Sequence, residues 1–577
     1  MAVFGIVGFS LSLRVNPGVA AAHSIDFAVA PADGSQISSS ASLEKHILLA
    51  APESVTNYRL VSSRHIPELQ AALKFEQTLP SNVISYTTRP GDTLQSLAGR
   101  FDVGLDDIYA QGGLPMGNHQ LIDPNVELLI PQMARTSSPS HLLLPDSELV
   151  FSPSSKDFDV SAFADEYGGY LTKYREMVDG IWMNGPEVVA RAAVDNSINP
   201  RLLLAILEYR SGWLTNSEKP RSRAYLFPIW QDDPRLQGLY LQLMWAADEL
   251  SQAYYGWREG TFLQLTFPDG TSLDVAPELN AGTVAIQHLL SRFSANSDWP
   301  ADLSEHALLE IFTELYGDPL SFDIPLYDMA IRQPALSLPF PESNPWIFTG
   351  GPHGAWGTKS ARAALDFAPE WDWWRPSSNK EILSAAGGVI ARLDNGVIVL
   401  DLDGDGYEQT GWSIQYLHVI ASDAIAVGQV VTRGQLLGHA SIEGGVAHGI
   451  HLHIARKYNG EWIFADGPLP FELGGWRVRA GSQPYEGMLY KAGCEWLARL
   501  CSPEEILYEI DVGDHLKTAL PATLSVCCPS PQLVVQPDNP EPLSVGLGSA
   551  ASAFVANSEG DSIANALPSL MSFWIPE

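Results

Sequence analysis

Five side chains between residues 353 and 453 have the types and spacing of a hydrolytic metal centre: His353, Asp366, His418, His451 and His453. The tightest group is Gly449-Ile450-His451-Leu452-His453-Ile454, an H-x-H pair among apolar and β-branched residues. Residues two apart on a strand project from one face, so both imidazoles would point into one cleft. Catalytic zinc takes three His or carboxylate ligands and keeps a fourth position open. Such a site needs one more histidine and a carboxylate. Gly350-Gly351-Pro352-His353-Gly354 offers a loop histidine, and Ala363-Ala364-Leu365-Asp366-Phe367 sets an aspartate in an apolar run, where an unpartnered carboxylate is costly. Ser413-Ile414-Gln415-Tyr416-Leu417-His418-Val419 reads as a strand ending in a further histidine. Singly, these are two ordinary strand histidines, a turn aspartate and a core histidine; together they make a donor set.

The order of these residues, and the segments between them, resemble the lysostaphin or LytM-type zinc endopeptidases of bacterial cell walls, over roughly residues 345 to 460. Ile382-Leu383-Ser384-Ala385-Ala386-Gly387-Gly388-Val389-Ile390 is similar to that family's A-x-x-G-x-V strand pair. The run from Val427 to Gly438, with Gly428-Gln429 and Gly434-Gln435, is similar to its hairpin with glycines at the tight turns. The resemblance implies a duplicated hybrid motif, one catalytic zinc held by His353, Asp366 and His453, and His418 and His451 flanking the reacting water. Zinc brings the pKa of a bound water toward about 7. One of the two histidines would serve as general base and either could stabilise an oxyanion, with the division between them open. The implied reaction is hydrolysis of peptide bonds in peptidoglycan stem or cross-bridge peptides.

The family separates its first histidine from its aspartate by about four residues; here 366 minus 353 gives 13. The extra segment, Gly354 to Ala364, must loop out, which costs little closure entropy. A defective site would instead suit a non-catalytic, wall-binding regulator of a separate amidase. The family pattern gives no role to His439 or His448, the second of which is expected at the cleft rim, and Tyr416 should share the strand face of His418. Asp401, Asp403 and Asp405 alternate around glycines like the start of a calcium loop, but Trp412 stands where the closing glutamate belongs, so a polar hairpin loop is the competing reading.

The elements that position these residues form a multidomain α+β chain of 577 residues. Tyr86-Thr87-Thr88-Arg89-Pro90-Gly91-Asp92-Thr93-Leu94-Gln95-Ser96-Leu97-Ala98 resembles a LysM module, implying a small βααβ glycan-binding unit over 84–132, with Asp92 capping its first helix and a second helix beginning at Phe101. Gln111-Gly112-Gly113 and Asp123-Pro124-Asn125 depart from the family pattern. Residues 133–158 are Ser/Pro-rich and read as a linker. Residues 159–335 are helical by period, with Pro186 and Pro200 at first-turn positions. The run Asn199 to Trp213 resembles the catalytic helix of lysozyme-like transglycosylases, and Leu279 to Ile286 a later helix of that fold. Arg210 stands where the catalytic acid belongs and cannot supply a proton; Glu208 lies nearly opposite on the helix, so the domain is expected to be inactive.

The mainly antiparallel-β peptidase domain is placed at 340–480, a Cys-containing extension at 481–530 and a disordered tail at 531–577. The four cysteines, Cys494, Cys501, Cys527 and Cys528, lack zinc-ribbon spacing, and one or two disulfides are possible. Residues 1–22 read as a secretory signal, and no other run is apolar enough to span a bilayer. A formal charge of −33 argues against nucleic-acid binding. The expected setting is extracytoplasmic or wall-associated in a bacterium, with peptidoglycan peptides and glycan strands as partners.

Overall fold

The computed structural model describes residues 82–110, 120–132, 135–304, 307–327, 331–341, 346–369, 377–491 and 494–498. The signal segment 1–22, the tail 531–577, and Cys501, Cys527 and Cys528 with their pairing lie outside the described residues.

Near the N-terminal end, strands Val83–Thr87 and Tyr109–Ala110 flank Glu127–Pro131 in an antiparallel sheet. Helix Leu94–Phe101 packs Leu94, Leu97 and Phe101 onto Tyr86, Leu128 and Ile130. Two local expectations change. Among the described residues the second helix is a single 3-10 turn, Leu105–Asp107, and the helix cap is Thr93, whose hydroxyl accepts from the Ser96 amide. Asp92 is instead buried against Arg100 at 2.5 Å and accepts from the Tyr86 hydroxyl at 2.8 Å. Its carboxylate neutralises a buried guanidinium, so the neighbouring threonine takes the capping role.

The helical block starts earlier than its sequence period suggests. Leu143, Leu144, Leu149 and Val150 are buried in its core, and Glu148 pairs with Arg201 at 2.7 Å. The expected linker over 133–158 is therefore in large part a packed edge of the block, where Ser152 Oγ donates to Ser147 O at 2.7 Å and Ser154 Oγ to Glu148 Oε1 at 2.6 Å. The helix Gly185–Asn196 starts at Asn184 with Glu187 completing a capping box, and Pro200–Ser211 starts at Asn199, with proline in the first turn of each. The 21-residue helix Leu239–Glu259 runs through the centre of the block, beside the fully buried Ala281–Ser291.

In the region from 346 to 462, an eight-stranded antiparallel sheet runs in the order Val430–Val431, Gly388–Asp394, Val397–Asp401, Trp412–Leu417, Leu452–Tyr458, Arg362–Pro369, Trp346–Gly354, with Glu461–Trp462 added beside Leu452–Tyr458. Its two faces meet different partners. Leu365, Phe367, Ile414, Tyr416, Leu452 and Ile454 fill the core of the β region, whereas Ala363, Ala364, Ala455 and Trp462 join the helical core. Alternation along Leu452–Tyr458 puts Leu452 and Ile454 on one face and Ala455 on the other. A four-stranded sheet from Glu472 to Ala498 completes the region, so the boundary expected at 481 falls inside the hairpin joining Trp476–Ala480 to Gly487–Lys491.

Buried charges tie sheet to helices. Arg258 reaches Glu461 at 3.1 Å, Asp146 at 3.2 Å and the Pro90 carbonyl, joining three parts of the chain. Glu408 accepts from Arg392 at 2.7 Å and Lys457 at 2.8 Å, while Arg392 also reaches Asp195 of the helical block at 3.3 Å. Burial pushes the Glu408 carboxyl up, but the two cations outweigh it and hold it at about 2, below its ordinary 4.5. A depressed folded pKa gives stability that is present above about 4.5 and lost as pH falls toward 2, on the order of 3 kcal/mol. Glu408→Gln is expected to lower stability at pH 7 and to flatten the slope of unfolding free energy between pH 4.5 and 2; urea titrations across that window with equal slopes for both proteins would refute it.

Candidate metal centre

Strand register brings the donors together. Asp366 lies directly opposite His453, which is also opposite Leu417, the residue before His418. The strand carrying His353 is irregular: Gly350 pairs with Asp366 and His353 with Ala364, with register shifts between. The 13-residue spacing is thus a β-hairpin with its turn at 355–361, and His353 returns to within two residues of Asp366 across the ladder. Gly350 allows this approach, since a Cβ there would lie 2.8 Å from Asp366 Oδ2.

His353 Nε2, His453 Nδ1 and Asp366 Oδ1 form a buried triangle with sides of 3.1, 3.3 and 3.2 Å. The remaining ring nitrogens face carbonyls: His353 Nδ1 at 2.8 Å from Gly351 O, and His453 Nε2 at 3.0 Å from Ala355 O. Only a protonated nitrogen can satisfy a carbonyl, so in the neutral tautomers these contacts select, Nε2 of His353 and Nδ1 of His453 are lone pairs. Asp366 Oδ1 has no hydrogen-bond partner. Three buried acceptors at such distances repel one another unless a cation lies between them. Bond lengths of 2.0–2.2 Å in a tetrahedral zinc site give ligand–ligand edges of roughly 3.3 Å. The donor set therefore fits zinc, and the Gly351 and Ala355 carbonyls already fix the tautomers of the two histidines.

His418 and His451 stand together, ring centroids 4.3 Å apart. His418 Nδ1 faces Glu443 O at 2.8 Å and His451 Nδ1 faces Gly449 O at 2.8 Å, which leaves each Nε2 as the free basic nitrogen; His451 Nε2 is 3.9 Å from Asp366 Oδ1. His418 is buried and has φ +63, a strained value for a non-glycine residue. That bend ends the strand Trp412–Leu417 and begins Val419–Ala421. Burial, then the neighbouring imidazoles, holds the His418 pKa well below 6.5 and depresses that of His453.

Tyr485 is a further member that sequence reading did not single out. Its ring stacks on His353 at 4.1 Å and 19°, and its backbone is bonded to Gly351 and Pro352. It lies about 120 residues beyond Asp366, in a turn of no recognisable motif, and only folding of the last sheet brings it in. Tyr416 is fully buried and donates its hydroxyl neither to the site nor to substrate space, but lies 2.8 Å from the Ala385 amide, which donates to it. His448 is exposed and His439 half-buried, neither within the donor set. Asp401, Asp403 and Asp405 come close together, but Asp401 accepts from the amides of Asp403, Gly404 and Gly406 at 2.7–3.1 Å, as in a polar hairpin loop. Glu408 is turned away to Arg392 and Lys457 and adds no carboxylate to the three aspartates.

A family model described as "LasA, N-terminal domain" matches residues 142–329, beginning where the packed helical block begins. Protease LasA of Pseudomonas aeruginosa (strain UCBPP-PA14) is 26% identical over 310 residues, covering 50% of this chain and 69% of that protein. Solved structures with similarity include the M23 metalloprotease pseudoalterin from the deep sea, at 22% identity and TM-score 0.24, covering 31% of this chain and 99% of that one. The catalytic domain of lysostaphin from Staphylococcus simulans aligns at 19% identity and TM-score 0.17, covering 21% and 90%. The chain is a mixed helix and antiparallel-sheet protein with a buried two-histidine, one-carboxylate triangle that could hold a metal ion. It is LasA-like, a homologue of Protease LasA, with M23 metallopeptidases among its structural neighbours.

Because a cation relieves the repulsion within the triangle, zinc added to chelator-treated protein is expected to raise the thermal midpoint by several degrees, in line with ligand-linked stabilisation. Asp366→Ala should abolish the rise; a midpoint that moves equally in both proteins would place the bound zinc elsewhere.

Proposed function

We propose that this protein is a zinc metalloendopeptidase that hydrolyses peptide bonds in peptidoglycan stem or cross-bridge peptides, outside the cytoplasm of a bacterium. The observation that carries the reading is the buried triangle of His353 Nε2, Asp366 Oδ1 and His453 Nδ1, in which the outer nitrogen of each ring faces a backbone carbonyl. These three residues are the ligands in this reading. Zinc, when bound, supplies Lewis acidity toward a water and the substrate carbonyl.

The remaining steps belong to this chain's side chains. His418 and His451 carry Nε2 atoms left without a carbonyl partner beside the triangle, His451 Nε2 at 3.9 Å from Asp366 Oδ1, and the low pKa of buried His418 keeps it able to accept a proton at neutral pH. Once one of the pair is protonated, it donates to the developing oxyanion and then returns the proton to the leaving amine. The carbonyls of Glu443 and Gly449 hold both rings in the tautomer this exchange needs. The regulator reading rested on the 13-residue spacing, which the 355–361 hairpin turn accommodates.

The LysM-like unit and the helical block are assigned to glycan strands and to support respectively. Glu208 is engaged by the Leu214 and Thr215 amides and by the Thr215 hydroxyl, and Arg210 packs its guanidinium 4.2 Å from the Phe293 ring centroid and 5.0 Å from that of Trp230. Neither is free to act as a glycosidic acid, so a non-catalytic role fits this block. Among the described residues no helix is long and apolar enough to cross a membrane.

The test is new amine release from purified peptidoglycan, with zinc content measured in parallel. His453→Ala is expected to lose both zinc and turnover. His418→Ala and His451→Ala should keep zinc while turnover drops about 10²–10⁴-fold, the range for loss of general acid–base catalysis. Full turnover in His453→Ala would sink the proposal.

A further inference from the structure

The loop at residues 355–361 does more than close the hairpin between His353 and Asp366. Its first residue, Ala355, provides the carbonyl that accepts from His453 Nε2 at 3.0 Å. The outer partner of a metal-binding histidine sets its tautomer and ring orientation, and loss of such partners costs 10–100-fold in metal affinity. What fixes Ala355 therefore bears directly on the metal site.

Little of that fixing comes from the loop itself. Ala355 N bonds Ala361 O at 3.0 Å and Trp356 N bonds Ser360 Oγ at 3.0 Å, two short closures at the loop's base. The rest comes from the helical block. Lys359 Nζ lies 2.6 Å from Glu249 Oε1 on the long helix Leu239–Glu259. Glu249 is 4% exposed, and its other oxygen takes His288 Nε2 at 2.7 Å. Burial pushes the Glu249 carboxyl up, yet His288 and Lys359 hold it at about 2, so it is ionised throughout the neutral range. Gly357, at φ +67, passes so close that a Cβ would lie 3.0 Å from Asp248 Oδ1, one residue from Glu249. Trp356 packs both on the helical core and on the patch of Val397, Val399 and Leu417 beside the site.

Resting on the metallopeptidase reading above, we propose that Lys359 and Glu249 are positioning residues: their ion pair latches the 355–361 loop to the helical block and so holds the Ala355 carbonyl against the zinc ligand His453. The helical block thereby contributes to metal affinity without touching the metal. The pair is suited to this because its acid is buried, doubly bonded and on a rigid helix, whereas its lysine is carried by the loop and is 36% exposed. The geometric path is short: from Glu249 through Lys359 and the three residues Trp356, Gly357 and Thr358 to Ala355.

The experiment uses the full chain, with zinc dissociation measured by competition against a chromophoric chelator and thermal unfolding of the metal-free protein in parallel. Lys359→Met is expected to weaken zinc binding about 10-fold, and Lys359→Arg, which keeps a cation within reach of Glu249, to restore it to near the wild-type value. Glu249→Gln should weaken it similarly. A Lys359→Met protein that binds zinc as tightly as wild type overturns the latch, as does one whose metal-free midpoint falls while zinc affinity stays put, since that is the signature of a purely structural contact. A wild type that takes up no zinc overturns the metallopeptidase reading and the latch with it. Wild-type zinc binding beside an unchanged Lys359→Met leaves the metallopeptidase reading standing and removes the latch alone.

Discussion

The crowding of three buried, unprotonated acceptor atoms is the constraint on which the rest of this structure depends. At separations of 3.1–3.3 Å, His353 Nε2, His453 Nδ1 and Asp366 Oδ1 gain nothing from one another without a cation. A chain left to itself would relax them apart or protonate them. Here each imidazole has its outer nitrogen committed to a carbonyl, Gly351 O for one and Ala355 O for the other, so neither can simply rotate away. The glycine at 350 leaves the space that the carboxylate needs, and Tyr485 closes over His353 from the far side. These features cost stability in the metal-free protein, and they are intelligible as preorganisation for a cation.

The same constraint explains why the sheet that carries the triangle is so firmly joined to the helices. A β-hairpin that carries two of three donors must not breathe, and its face toward the helical block is lined by small residues, Ala363, Ala364 and Ala455, that permit close packing. Around that apolar contact lie ion pairs whose acids are nearly inaccessible: Glu461 with Arg258, Asp195 and Glu408 with Arg392, Glu249 with Lys359. Buried pairs are a weak source of net stability, but breaking one partner is costly, so they fix one relative placement of the elements against alternatives. With a chain charge of −33, most carboxylates must face water; Glu461, Asp195, Glu408 and Glu249 are buried against arginine or lysine at the seams between elements. This division separates a solubilising surface from a specifying interior.

The sequence by itself carried the donor set. His353, Asp366, His418, His451 and His453 could be picked out because a metal site needs particular side chains, and strand alternation places an H-x-H pair on one face whatever surrounds it. The capped helices at 185–196 and 200–211 were legible for a similar reason, since proline and asparagine at a helix start act through local backbone chemistry. Local signals failed where a residue had a stronger distant partner. Asp92 reads as a cap but belongs to Arg100, and the serine- and proline-rich stretch before 158 reads as a linker although its leucines enter the helical core.

Only the tertiary structure decided how a spacing of 13 residues still yields a triangle, because a register irregularity between Gly350 and His353 is set by pairing with a strand that comes later in the chain. It also decided which ring nitrogen of each histidine faces inward, since that follows from carbonyls supplied by Ala355, Gly351, Glu443 and Gly449 in their folded positions. Tyr485 and the Lys359–Glu249 pair belong to the same category: their partners lie more than 100 residues away, and no periodicity or motif encodes a contact that exists only once sheet and helices have packed. Side-chain type and local period are written along the chain, whereas protonation geometry and long-range support are properties of the packed interior.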